Sequence, residues 1–198
     1  RLLGIPPGAS PLTTWRLHRS QAGLIAAHTS HAHACAAPLA LPLVVHRRVD
    51  FLPSGGWKYR RPEGYVAVSS AVSRILAGAG ATNVHVVHDG VEPLPVAEPA
   101  SDGPAVLAVG ACVGHKGHDI LSAVARMLPD VEIGVAGDGP LRFPGLRYLG
   151  HRGDIPALFS AAKLFVHPSL EEGMGQVVVE AMLARVPVIV SDAGGLPE

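Results

Sequence analysis

Neither sign of charge is in surplus in this chain: 16 Lys and Arg balance 16 Asp and Glu across 198 residues, a formal net charge of zero. That balance excludes a broad basic face for nucleic acid and an acidic tail. Charged residues are also scarce, at 16%, while the hydrophobic fraction is 48%, the reverse of a disordered composition. Cysteine is limited to Cys35 and Cys112, which make no disulfide framework and point to a reducing, cytoplasmic setting. Long apolar runs are missing too, although mean hydropathy is +0.30. The longest, residues 34–45, spans about a dozen positions and is broken by Pro38 and Pro42, short of the roughly 18–20 residues that a spanning helix needs. Residues 1–20 lack the apolar core of a secretory signal and carry Arg16, His18 and Arg19 in a polar stretch. The chain opens on Arg rather than Met and closes on Leu-Pro-Glu, so both ends read as cut.

What the chain does contain is alternation. Residues 1–20 hold Gly4, Pro6, Pro7, Gly8 and Pro11 without periodicity and read as irregular. From Leu24, short apolar runs at 24–27, 43–45, 65–68 and 84–87 read as strands. Between the last two, Ser69 or Ser70 can cap a helix carrying Val72, Ile75 and Leu76 that ends near Gly78 and Gly80. Strands of this kind between helices argue a parallel α/β sheet buried on both faces.

Residues 92–104 then place four prolines in thirteen positions, which holds neither ladder nor helix and gives a stiff, extended connection. This is the best domain boundary in the sequence; the alternative is a long surface loop. Beyond it the alternation restarts: strands at 105–109, 131–136, 148–149, 164–167 and 186–190, and helices at 118–127, 155–162 (capped by Asp154) and 176–184. This doubly wound pattern places ligands beyond the carboxyl ends of the strands.

The most informative stretch runs from Pro168 to Met182. A strand ends at His167, Gly173 and Gly175 interrupt the loop, and a helix begins near Gly175. Glycines allow close approach of backbone N–H groups, and a helix N-terminus favours an anion such as phosphate. Glu172 in the loop and Glu180 on the helix are eight positions apart, slightly over two helical turns. Both carboxylates can therefore face one side of a crevice and accept hydrogen bonds from sugar hydroxyls. Equally, Glu180 can be a solvated helix residue and Glu171 with Glu172 a loop charge pair.

This segment resembles the Glu-x7-Glu motif of the retaining GT-B enzymes of glycosyltransferase family 4. The resemblance extends through Val109-Gly110 and Lys116-Gly117-His118-Asp119, the turn Ala136-Gly137-Asp138-Gly139-Pro140, Tyr148-Leu149-Gly150, and Gly194-Gly195-Leu196-Pro197-Glu198. Upstream, Val66-Ala67-Val68-Ser69 and Val87-His88-Asp89-Gly90-Val91 match the end of the family's first domain, so residues 65–198 agree in order and spacing. The resemblance implies two Rossmann-like, doubly wound parallel-sheet domains. Residues 1–97 would be a partial acceptor-side domain, and residues 98–198 a nucleotide-sugar donor domain without its last elements.

It further implies that Glu180 binds the nucleotide ribose and Glu172 the donor sugar. The loop and helix start at Gly173, Met174, Gly175 and Gln176, with Gly110, would approach sugar or diphosphate. Lys116 would neutralise the diphosphate leaving group. The family often has Arg right after the first glycine of that region, where this chain has Ala111, so Lys116 would act alone unless Arg47 or Arg48 reaches the phosphates. His46 or Arg47, after the strand at 43–45, would touch donor phosphate or acceptor hydroxyl; Arg48 and Asp50 can equally form a structural ion pair.

Histidine is enriched, at 11 residues. His28, His31 and His33 suggest a metal site, but no Cys or carboxylate cluster stands nearby, and on a helix His31 and His33 point about 200° apart. No metal or other cofactor is expected, because cationic side chains and helix N-termini would hold the diphosphate. His115, His118, His151 and His167 read as hydrogen-bonded loop or strand-end residues, and Cys35 and Cys112 as packed apolar residues. The expected activity is retaining transfer of a sugar from a nucleoside diphosphate sugar to an acceptor hydroxyl, on a glycan or a lipid-linked molecule. No nucleic acid partner is expected, and membrane contact would be at most peripheral. The alternatives are a non-catalytic nucleotide-sugar-binding fragment and another GT-B-type enzyme such as a sugar-phosphate synthase.

Overall fold

In a computed structural model, which describes residues 23–52 and 57–198, the chain divides into two compact units: Arg1–His88 together with Glu198, and Asp89–Pro197. The division falls ahead of the Pro-rich stretch. The irregular character expected of residues 1–20 lies outside the described residues. Among the described residues no helix is long and apolar enough to cross a membrane.

The first unit runs β1 (Ile25–Ala27), α1 (Ser30–Ala36), β2 (Leu43–Arg47), a 3-10 turn (Trp57–Arg60), β3 (Gly64–Ala67), α2 (Ser70–Gly78) and β4 (Val84–Val86). Its strands are parallel and stand in the order β1-β2-β3-β4. Two hydroxyls start its helices: Thr29 accepts from the Ala32 N–H at 3.0 Å, and Ser69 from the Val72 N–H at 3.2 Å. Ser69, not Ser70, is therefore the cap of α2, which buries Ala71, Val72 and Leu76. β4 is the last described strand of its sheet and stops at Val86; Val87, expected within it, is 55% exposed.

This unit buries two cationic side chains, Arg47 and Lys58. Period-two alternation along β2 buries Leu43, Val45 and Arg47 together. The Arg47 guanidinium donates to the Tyr59 hydroxyl at 3.2 Å and to the Phe51 carbonyl. His33 donates through Nε2 to the Lys58 carbonyl at 3.0 Å and meets the edge of Tyr59 at 5.0 Å. Burial, opposed by the Lys58 carbonyl and reinforced by the charges of Lys58 and Arg47, lowers the His33 pKa to about 4.

The second unit runs β5 (Val106–Val109), a 3-10 turn (Gly114–Lys116), α3 (His118–Met127), β6 (Ile133–Ala136), β7 (Leu146–Gly150), α4 (Ile155–Ala161), β8 (Leu164–His167), α5 (Gln176–Leu183) and β9 (Val188–Val190). The strands are parallel in the order β7-β6-β5-β8-β9. Adjacent residues of β5 serve opposite faces. Leu107 packs with Leu158, Phe159, Phe165, Val178 and Ala181 under α4 and α5, while Ala108 packs with Leu121, Ala125, Ile133 and Val135 under α3. The sheet is thus covered on both sides, which is why its strands read as continuous apolar runs. The order grows outward from β5 in both directions, so the topological switch lies between β5 and β8, and the crevice for a ligand lies beyond their carboxyl ends.

Two local expectations are corrected. Asp154 does not cap α4: its carboxylate is engaged by Arg152 at 2.7 and 2.6 Å, and Arg152 also holds Asp102 at 2.7 Å. Pro156 in the first turn removes one N–H that a cap would have had to satisfy. The last strand begins at Val188 rather than 186, because the Val186 N–H closes onto the Ala181 carbonyl at 3.0 Å at the end of α5.

The His33 pKa is below its value in an unfolded chain, so the unfolded state binds more protons between pH 6.5 and about 4. Stability of the first unit should fall as pH drops through that window. His33→Gln should flatten the dependence, which hydrogen exchange of α1 and β2 at pH 7, 5.5 and 4.5 will measure.

Candidate functional site

The loops beyond β5, β6 and β8 are joined by backbone. Behind β5, the Gly110 N–H donates to the Ala136 carbonyl at 2.9 Å, Cys112 N–H to Asp138 at 2.8 Å, and Leu141 N–H back to Cys112 at 3.1 Å. The Gly-x-Gly turn is required by this lacing. A Cβ on Gly137 would lie 2.0 Å from the Gly110 carbonyl oxygen, and one on Gly139 would lie 2.5 Å from that of Cys112. Cys112 is buried at this seam, as a packed apolar residue would be. Across the switch point, the Leu170 N–H donates to the His115 carbonyl at 2.8 Å. Gly117, at φ 67°, approaches so closely that a Cβ there would meet the Pro168 carbonyl oxygen at 2.1 Å.

That approach brings side chains from both loops together. The Lys116 stem passes over Gly110, and the ammonium donates to Glu172 Oε2 at 2.6 Å. The imidazole of His167 donates through Nε2 to the same oxygen at 3.0 Å. Burial alone would raise the Glu172 carboxyl. The hydrogen bonds from His167 and Lys116 and the charge of Lys116 outweigh it and hold the pKa at about 2. Glu172 is therefore an ionised, half-buried carboxylate at neutral pH. Beside it, His118 is buried with Nδ1 unpartnered, and burial, then the charges of His167 and Lys116, lowers its pKa. Ser169 is also buried, its hydroxyl unpartnered and its carbonyl accepting from Ser191.

The helix α5 opens from the same loop. Gly175 is its left-handed cap at φ 81°, and a Cβ there would sit 2.5 Å from Leu196 Cδ2. The Val178 and Val179 N–H groups return to the Gly175 carbonyl at 2.9 and 3.3 Å, so Gln176 and Val177 are the amides that lie at the positive end of the helix dipole ahead of them. Gly173 is buried, Met174 half-buried and Gln176 exposed. Glu180 is half-buried on the helix, and burial pushes its carboxyl up. Of the expected donor-side residues, Gly110, Lys116 and Glu172 are brought into one cluster, and Gly173, Met174, Gly175, Gln176 and Glu180 follow along the loop and helix that continue from it.

In the first unit, His46 stacks on His28 with ring centroids 4.4 Å apart. Arg47, expected to reach donor phosphate, is only 6% exposed and spends its guanidinium on Tyr59 and the Phe51 carbonyl. His33 points its Nε2 at a backbone carbonyl. Among the described residues no group of three His, Cys, Asp or Glu side chains could hold a metal ion. His167, expected only as a hydrogen-bonded strand-end residue, proves to bond the site carboxylate. Its signal was available: the last residue of a strand at a switch point faces the crevice, five positions before Glu172.

The depressed Glu172 pKa stabilises the fold above about pH 4.5 and ceases to do so as pH falls through about 2. In Glu172→Gln the stability difference from the parent should be greatest at pH 6 and vanish near pH 2. Urea unfolding across that range tests it.

Residues 103–198 match the family described as glycosyl transferases, group 1. The 2-deoxystreptamine glucosyltransferase of Streptomyces kanamyceticus is 30% identical over 71% of this chain and 45% of its own length. The D-inositol 3-phosphate glycosyltransferase of Mycobacterium bovis is 34% identical over 62% of this chain and 32% of its own. The crystal structure of Anabaena HepE with UDP and glucose superposes with a TM-score of 0.75 at 23% identity, over 93% of this chain and 62% of that one. The galactosyltransferase WaaB superposes at 0.69 with 18% identity, over 94% and 61%. The fold is thus GT-B, with its two parallel α/β sheets, and the chain spans under half the length of these two sequence relatives.

Proposed function

We propose, from the match of residues 103–198 to the group 1 glycosyltransferases, that the chain takes part in retaining transfer of a sugar from a nucleoside diphosphate sugar to an acceptor hydroxyl. The observation that carries this is the Lys116–Glu172 pair at the mouth of the β5/β8 switch point, beside the N-terminus of α5. A cation, an ionised carboxylate and the N-terminus of a helix are what a sugar diphosphate requires. In this proposal the diphosphate draws the Lys116 ammonium, and the amides of residues 174–176 approach its oxygens. Glu172 accepts hydrogen bonds from the sugar, and Glu180 from the ribose. The bond from the anomeric carbon to the phosphate oxygen breaks while a bond to the acceptor oxygen forms on the same face. The departing phosphate takes the acceptor proton. Lys116 then faces charge that grows as the bond breaks, where a fixed cation has most effect.

His46 is proposed as the acceptor-side group, and Arg47 as the anchor that fixes the end of β2. In this proposal acceptor binding belongs to the first unit and donor binding to the second. The acceptor is a hydroxyl-bearing glycan or lipid-linked molecule. Cys35 and Cys112, which form no disulfide, suit the cytoplasm as the setting.

Calorimetric titration with UDP, GDP and ADP, and with a sugar conjugate of each, tests the donor assignment and identifies the base. Absence of binding by all six would refute it; binding without transfer or donor hydrolysis would leave a nucleotide-sugar-binding protein. Glu180→Ala should weaken the bound nucleotide about tenfold, as loss of hydrogen bonds to a charged acceptor does. Unchanged affinity would remove Glu180 from the ribose. Lys116→Ala should reduce kcat by at least an order of magnitude more than it reduces donor affinity. Equal loss in both would mean that the lysine only binds.

A further inference from the structure

We propose that His167 is a positioning residue that orients Glu172 toward the donor sugar, so that the site distinguishes a nucleoside diphosphate sugar from the bare nucleoside diphosphate. The inference rests on the donor assignment above and adds to it a residue to which no role in transfer had been given.

Glu172 Oε2 has two donors of different character. Lys116 ends a stem of four rotatable carbons, and its ammonium has no preferred direction. His167 is fixed: it closes β8, is only 4% exposed, and lies nearly parallel to Phe165, with centroids 6.0 Å apart and planes 17° apart. Phe165 is locked in turn against Phe159, 5.5 Å away in edge-to-face contact, within the core under α4 and α5. The direction of the His167 Nε2–H bond is therefore set by the strand and the core. Because an ionised carboxylate only accepts, the 3.0 Å contact places a proton on Nε2.

The difference matters once a ligand enters. A diphosphate carries more charge than one carboxylate and competes for the Lys116 ammonium. When the lysine turns to the phosphates, Glu172 Oε2 loses that donor and keeps the imidazole. The backbone of Glu172 is secured separately, its carbonyl accepting from the Gly195 N–H at 2.9 Å. What His167 controls is the carboxylate head, the part that faces the sugar. A bare nucleoside diphosphate has no sugar for that carboxylate to meet, so its affinity should not depend on His167.

The test uses the full 198-residue chain and whichever nucleoside diphosphate and sugar conjugate bind in the titrations above. His167→Phe keeps the ring against Phe165 and removes the donor; His167→Gln restores an N–H donor; His167→Leu is a second donor-less variant should the Phe form fail to fold. In the donor-less variants, affinity for the sugar conjugate should fall about tenfold, the size expected for a lost hydrogen bond to a charged group. Affinity for the bare diphosphate should stay within twofold, and His167→Gln should recover most of the loss. Imidazole nitrogen NMR of the parent should show the proton on Nε2. A donor-less variant that keeps the parent's ratio of the two affinities overturns the assignment of His167 alone. Equal weakening of both ligands also overturns it, by showing a merely structural role. If no nucleotide binds the parent chain, the donor assignment itself has failed, and this proposal with it.

Discussion

A carboxylate taken partly out of water at the carboxyl end of a sheet is costly unless charge and hydrogen bonds compensate it, and the second unit is organised around that compensation. The 2.6 Å contact between Lys116 and Glu172 crosses the gap between the β5 and β8 loops. It forms only because the backbones beneath it nearly touch. Gly117 lies where any Cβ would strike Pro168. The two nearby glycines of the β6 loop fix the β5 loop in turn. Three glycines and one ion pair are thus one device. The glycines admit the backbone approach, and the pair uses it to hold a carboxylate ionised well below its ordinary pKa.

The first unit handles buried polarity differently. Arg47 and Lys58 are both buried, and the partners that reach them are hydroxyls and carbonyls: Tyr59 and Phe51 for the arginine, Ser30 for the lysine. With two cations close together, burial followed by the charge of Arg47 lowers the Lys58 pKa. His33 stays neutral among them because burial and both cations disfavour its charged form. The result is a polar interior under β2 and β3 whose side chains are spent on the fold.

That contrast explains how far the sequence could be read. Element order was legible nearly throughout, because both sheets are parallel and their strands carry short apolar runs between amphipathic helices. α3 and β8 lie at the residues expected of them, and β9 and α4 differ only at their ends. That Gly110, Lys116 and Glu172 would gather beyond β5 and β8 was legible because Glu-x7-Glu and the glycines are local, spaced signals. What was not legible depended on pairing across the fold. Asp154 looks like a helix cap until Arg152 is seen to bridge it to Asp102, fifty residues from the arginine. Arg47 looks like a ligand cation because no local pattern reveals that Tyr59 and the Phe51 carbonyl claim it. Lys116 was expected at the leaving group, but its bond to Glu172 was not legible because that partner is 56 positions away.

His167 belongs to both groups of residues, and the reason bears on how such sites work. As the last residue of β8 it is set by the same alternation that buries Phe165, so its orientation follows from the strand. Its partner follows from the loop, which returns Glu172 to the strand's end. A group fixed by the core and aimed into a loop-built site transfers the rigidity of the sheet to the carboxylate it bonds. Lysine cannot supply this, because its flexibility is what lets it leave Glu172 for a stronger anion. The same oxygen therefore has one donor suited to departing and one suited to staying. That division is the simplest physical account of why two donors converge on Glu172 Oε2 at the switch point of this sheet.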